Sequence, residues 1–175
     1  MWRSNFFQSR WHCSADQGAI PCKRNLASPD RFIRYAARIA IEWQDVSLWK
    51  NRAINETNTE AGLTALLALA RCGGKATQED LLGALKKFPL DSLSLTQKLE
   101  KLRVIELSFI RQGKPGPDLA AIAVDKLNRL YPNENEFMNR ELSQLLIYLQ
   151  APDVVSKTLA LLDKEKKAVV EGRLN

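Results

Sequence analysis

Histidine is almost missing from this sequence: His12 is the only one in 175 residues. A Ser-His-Asp or Cys-His catalytic arrangement would have to use that one imidazole, and it sits in the least regular stretch of the chain. Cysteine is scarce too. Cys13, Cys22 and Cys72 form no C-x-x-C pair, and an odd count does not suit a disulfide framework. Zinc usually takes four ligands, whereas Cys13, Cys22 and His12 supply three, so no metal site is expected. Long apolar runs are lacking: the longest, Leu63 to Ala70, contains Thr64 and falls well short of the roughly 18 to 20 residues that span a bilayer. With Gly 8 and Pro 7, a collagen-like or low-complexity chain is excluded. Sustained period-two alternation is absent, so no sheet is expected. No G-x-x-x-x-G-K-[ST], G-x-G-x-x-G or H-E-x-x-H occurs. Gly113-Lys114-Pro115-Gly116-Pro117 reads as a stiff turn and not a phosphate loop, because its prolines remove amide donors. Neither a catalytic residue nor a cofactor is assigned. Glu79-Asp80, Glu134 and Glu136 read as caps and solvated loop residues.

What is present is ordinary globular material, 45% hydrophobic and 26% charged, enough for one domain with a real core. The net charge is +6. Up to Arg38 the chain holds seven basic residues against Asp16 and Asp30; the remainder holds 19 basic and 18 acidic residues. A basic N-terminal end therefore precedes a nearly neutral body. Residues 1–11 lack the apolar core of a secretory signal.

From Ser28 onward the pattern predicts helix after helix. Pro29-Asp30 opens the first, with Pro at the start and an acid in the first turn. Phe32, Ala36, Ile39, Ala40 and Trp43 lie at core spacing along it. A short helix over 45–54 follows, with Trp49 as core. Residues 59–72 are apolar nearly all round, the mark of a central helix. They end at Gly73-Gly74, and Cys72 reads as a small buried hydrophobe. Thr77-Gln78-Glu79-Asp80 has a capping-box pattern ahead of Leu81, Leu82, Leu85 and Phe88. Ser94 to Gln97 caps a long helix to Gln112, with Leu95, Leu99, Leu102, Ile105 and Phe109 inward. Pro117-Asp118 opens a helix to Leu130, and 136–149 forms another, carrying Phe137, Leu142, Leu145, Leu146 and Leu149. Pro152-Asp153 opens the last, with Val155, Leu159 and Leu162 inward and a charged, fraying tail over 165–175. Residues 1–27 read as an irregular or partly disordered segment, with a short helix near Trp2 to Arg10, and 28–164 as the repeat domain.

The chain repeats itself. Ser28-Pro29-Asp30 returns as Ala151-Pro152-Asp153, which aligns Arg34 with Lys157, and Pro117-Asp118 is a third such opening. Hairpins recur every 30 to 45 residues, in the range of helical solenoids, whose neighbouring hairpins bury each other's faces. Pro29, Asp30, Ile33, Arg34, Ala36, Ala37 and Ile39 match the second helix of a HEAT repeat, and the chain resembles that armadillo-like family from residue 28 to about 164. The resemblance implies an all-α fold, a right-handed α-solenoid of about four hairpins. It also implies that Arg34 supports stacking between repeats. In the later repeats Lys157 replaces that arginine and the Ala-Ala pair is lost.

Residues 28–38, with Asn139-Arg140-Glu141-Leu142 and 148–153, also resemble the helical section of large exported bacterial dehydrogenase and c-type cytochrome proteins. That resemblance implies a periplasmic fragment of a redox protein, although neither a haem motif nor a propeller is found here. The residues before Pro29 make a poor first helix. A truncated start would explain this, as would an N-terminal cap in which Trp2, Phe6, Phe7 and Trp11 fold over the first repeat.

Function is therefore expected to be non-enzymatic: a scaffold that binds a protein partner or neighbouring domains of a larger chain. Trp2 and Trp11 are the aromatic anchors for such contacts, joined by Arg31 and Arg38. Asp30 can pair with Arg34 four residues on. The alternative is a nucleic-acid binder using a basic face. An enzyme resembling the HEAT-like bilin lyases is a third class.

Overall fold

The computed structural model describes residues 25–172, and the side chains of residues 25–164. Eight α-helices run through that span: α1 (Arg31–Glu42), α2 (Val46–Asn55), α3 (Thr59–Cys72), α4 (Gln78–Ala84), α5 (Leu95–Gln112), α6 (Pro117–Leu130), α7 (Glu136–Tyr148) and α8 (Val154–Gly172). No strand occurs among the described residues, so the all-α expectation holds. The chain divides into two compact units between Pro89 and Leu90.

In the first unit α3 is central. Leu63, Leu66 and Leu69 are wholly buried, as the near-uniform apolarity of this helix requires. α1 and α2 both pack on it. α1 and α3 run parallel. Near their starts, Arg34 Nε lies 3.0 Å from Glu60 Oε1. At their ends, Glu42 Oε1 lies 2.9 Å from Arg71 Nε, and Cys72 Sγ lies 3.7 Å from Glu42 O. Gly62 on α3 admits the Phe88 ring so closely that a Cβ would sit 2.5 Å from Phe88 Cζ. Asn58 caps α3, accepting from Ala61 N at 3.0 Å. Gly73 ends it in extended backbone, so its conformational freedom is not what stops the helix. The capping box expected at Thr77 is absent: Thr77 Oγ1 donates instead to Gly74 O at 2.8 Å, shaping a short 3-10 turn ahead of α4.

The second unit repeats the layout, with α7 packed by α5, α6 and α8. α5 and α7 are again parallel: Leu95 and Lys98 share a surface cavity with Asn135 and Met138 at their starts. At their ends the Phe109 and Tyr148 rings stack at 6.0 Å, and Tyr148 Oη donates to Phe109 O at 3.2 Å. The Ser94 and Gln97 capping box forms as expected, and Gly113, at φ 89°, ends α5 in a region that favours glycine. α8 continues to Gly172, into the charged tail read over 165–175. Lys164 to Lys167 are good helix formers and do not stop it.

The three Pro-Asp openings are not equivalent. Asp30 is itself the N-cap of α1, accepting from Phe32 N at 2.8 Å, so the helix begins two residues later than a start at Pro29. Pro117 and Asp118 stand inside the first turn of α6. Asp153 has φ 64° and precedes α8.

Candidate functional site

The surface of α1 gathers most of the residues that the sequence nominates and that the structure describes. At 100° per residue, Phe32, Ala36, Ile39 and Trp43 lie within about 60° of one another. They were expected to face the core. They do the opposite: Phe32 is 68% and Trp43 87% exposed, with Ala36 exposed and Ile39 half-buried. The buried side carries Ala37, Arg38 and Ile41. Ala37 is small, and of the charged groups beside it Arg34 and Glu42 find partners on α3. A helical stripe in a sequence fixes a direction only relative to its own axis, so two opposed stripes cannot be told apart by periodicity. Tyr35 and Ile33 of α1 and Leu48 of α2 are exposed too. Trp49, by contrast, is buried as expected, its Nε1 donating to Gln44 O at 3.4 Å.

Arg34 and Arg38 of α1 are committed within the unit. Arg34 reaches Glu60, and its guanidinium also donates to Ser28 O at 2.6 Å and Pro29 O at 3.1 Å. No Asp30–Arg34 side-chain pair is seen: Asp30 caps the helix instead. Arg38, nominated as a partner contact, is only 8% exposed. It pairs with Glu42, which also meets Arg71, and its guanidinium lies 5.0 Å from the Tyr35 ring centre. Arg31 is exposed, with its guanidinium 4.7 Å above the Phe32 ring. Trp2, Trp11, His12, Cys13 and Cys22 lie outside the described residues. Cys72 is exposed rather than buried, because it sits at the last turn of α3.

In the second unit, Val155, Leu159 and Leu162 of α8, and Phe137 of α7, face outward although core positions were expected. On α5 three polar residues are buried, Lys101, Ser108 and Gln112, with Ser108 Oγ 2.8 Å from Gln112 Oε1. Burial, aided by the Lys126 ammonium, lowers the Lys101 ammonium to about 8. Partial burial and the neighbouring Glu106 raise the Glu141 carboxyl, against Arg103 and Arg140. Lys157 of α8 takes the place aligned with Arg34. Its Nζ donates to Asn128 Oδ1 at 2.6 Å, Asn128 O at 3.1 Å and Tyr131 O at 3.0 Å, a cation at the C-terminal end of α6.

Two shallow cavities of about 240 and 110 Å³ open on this unit. The smaller is lined by Glu106, Ile110, Gln144, Leu145 and Tyr148. Among the described residues, no group of three His, Cys, Asp or Glu side chains is placed to hold a metal ion, and no helix is long and apolar enough to cross a membrane. Comparison of the chain with protein-family models, curated proteins and solved structures finds no match in any of the three.

Proposed function

We propose that the chain is a non-enzymatic protein-interaction scaffold of HEAT-like helical repeats, with the outer face of α1 as a contact surface for a protein. One observation carries this reading: Phe32, Tyr35 and Trp43 stand exposed on the side of α1 away from α3. Large aromatic rings that remain in water on one helix face are what a protein interface uses as anchors. The parallel pairs α1/α3 and α5/α7, each bridged by one intervening helix, support the repeat reading, because stacking of alternate helices is how a solenoid builds its layers.

The arginines favour protein over nucleic acid. Phosphate binding needs uncommitted cations, and Arg34, Arg38 and Arg71 are set against Glu60 and Glu42. The resemblance to exported redox proteins would make the partner a neighbouring domain or protein of that system.

A photo-cross-linking amino acid placed at Trp43, with a control at exposed Asp80 on α4, tests the reading in living cells. The expected result is a discrete protein adduct at position 43 only. Nuclease-sensitive adducts would favour the nucleic-acid alternative, and equal labelling at 43 and 80 would remove the proposed surface.

A further inference from the structure

The outer face of α1 reads the same from either end. Phe32, Ala36, Ile39 and Trp43 follow one another at intervals of four, three and four residues, with a large ring at each end and smaller side chains between. Turning such a helix end over end returns the pattern to itself. Two copies of α1 laid antiparallel across a two-fold axis therefore set Phe32 of each at the level of Trp43 of the other, with Ala36 at the level of Ile39. The small residues sit at the centre, where the helices come closest, and the aromatic pairs at both ends gain ring–ring contact beyond the area they bury.

Charge selects the antiparallel arrangement. The Arg31 guanidinium lies 4.7 Å above the Phe32 ring, which brings its charge onto the face at the start of the helix. Asp45 is exposed just past the end, where it caps α2 by accepting from Ser47 N at 2.8 Å. Antiparallel copies lay the arginine end beside the aspartate end twice over, whereas parallel copies would set Arg31 against Arg31. The area is of the right order. Phe32, Tyr35 and Trp43 are 68%, 59% and 87% exposed. At about 150–250 Å² per aromatic side chain, these rings leave roughly 400 Å² in water, about half of the ~800 Å² that one partner gives to a stable complex.

We infer that the outer face of α1 pairs with the same face of a second copy of this chain, in an antiparallel two-fold dimer. The inference rests on the reading of this face as a protein contact and names the protein it meets.

The purified full chain should sediment as a dimer that dissociates on dilution. Trp43→Ser and Phe32→Ser should each weaken it on the order of 100-fold or more, since each change removes two anchors at once. Val155→Ser, at an exposed apolar position of the other unit, should leave it intact. Arg31→Glu and Asp45→Asn should each weaken it roughly two- to tenfold, asparagine keeping the helix cap. Far-UV circular dichroism checks that the helices of each variant persist. p-Benzoylphenylalanine at position 43, irradiated in an equal mixture of isotope-labelled and unlabelled chains, should give mixed-isotope adducts near Phe32. A chain that stays monomeric at every concentration overturns the inference. So do adducts confined to a single chain, and so does a dimer indifferent to both Trp43→Ser and Phe32→Ser. A monomer in solution, with a discrete adduct to a different protein in cells, would remove self-pairing and keep the contact surface. A dimer whose adducts in cells are only to itself would keep self-pairing and remove the scaffold function.

Discussion

Arg34 and Lys157 hold the same place in the internal alignment, one in each unit, yet they stabilise different things. Arg34 joins α1 to α3 through Glu60 and gathers the carbonyls that lead into its own helix. Lys157 closes the C-terminal end of another helix, α6. The difference extends through both units. The first fastens its parallel pair with charge at both ends, Arg34–Glu60 and the Arg38–Glu42–Arg71 cluster. The second fastens its pair with the stacked rings of Phe109 and Tyr148 and a neutral hydrogen bond, and links Tyr131 Oη to Thr158 Oγ1 at 2.7 Å. One helical layout is thus held by two chemistries. The alignment matches α1 with α8, whereas the packing matches α1 with α5, so the shared layout does not follow the Pro-Asp repeat.

The largest effects should come from the centres of the units. Leu66→Ala and Leu146→Ala, both at wholly buried positions, should each cost about 2–5 kcal/mol. Hydrogen exchange should show Leu66→Ala loosening α1 to α4 and Leu146→Ala loosening α5 to α8. If either variant loosened both sets of helices equally, the contrast between units would fail.

Glu42→Gln comes next. It leaves the buried Arg38 and the half-buried Arg71 without their carboxylate, at a cost of about 2–4 kcal/mol by urea unfolding. A cost near zero would mean that charge does not fasten the first unit.

Gly62→Ala forces a methyl onto Phe88 and should cost about 1–3 kcal/mol. Gly83→Ala, where a Cβ meets nothing within 4 Å, should gain up to about 1 kcal/mol from helix propensity. A thermal melt of the two variants separates local crowding from propensity.

Lys101 gives the second unit its own pH signature. Its folded value, about 8, lies below the ordinary lysine value of 10.5, so between the two the unfolded chain holds a proton that the folded chain has released. Between those values this residue makes stability rise with pH. Lys101→Met should therefore be more stable than the parent at pH 7, with the difference shrinking toward pH 10. A difference that stays constant across that range would show that Lys101 titrates as it does in water.

The smallest change is expected from Tyr148→Phe, which removes one hydrogen bond to Phe109 O and keeps the ring. About 1 kcal/mol or less should be lost, and a loss as large as that of Glu42→Gln would erase the distinction between the two fastenings.

Much of the helical layout was legible in the sequence, because caps and stops are local. Ser94 and Gln97, Pro117 and Gly113 mark helix ends through bonds or backbone angles within a few residues. α3 was legible as a central helix because it is apolar on every side. The facing of α1 was not. Its stripe of Phe32, Ala36, Ile39 and Trp43 has the spacing of a core, and only the partners of Arg34 and Glu42 on α3, with the burial of Arg38, show that the other side is buried. α8 misleads in the same way, with Val155, Leu159 and Leu162 outward. Lys101, Ser108 and Gln112 were passed over because polar residues in a core are visible only through what surrounds them. Of the nominated contact residues, Arg31 is exposed and Arg38 is buried. A guanidinium that is to be internally neutralised has the same sequence signature as one that meets a partner.

The parallel pairing of alternate helices has a kinetic meaning. Tyr148 reaches back 39 residues to Phe109, Lys87 33 residues to Ile54 and Cys72 30 residues to Glu42. Each of these contacts closes a loop within one unit. During synthesis, the whole of the first unit has been made once Pro89 leaves the ribosome. The first unit can then fold while the second is still being translated.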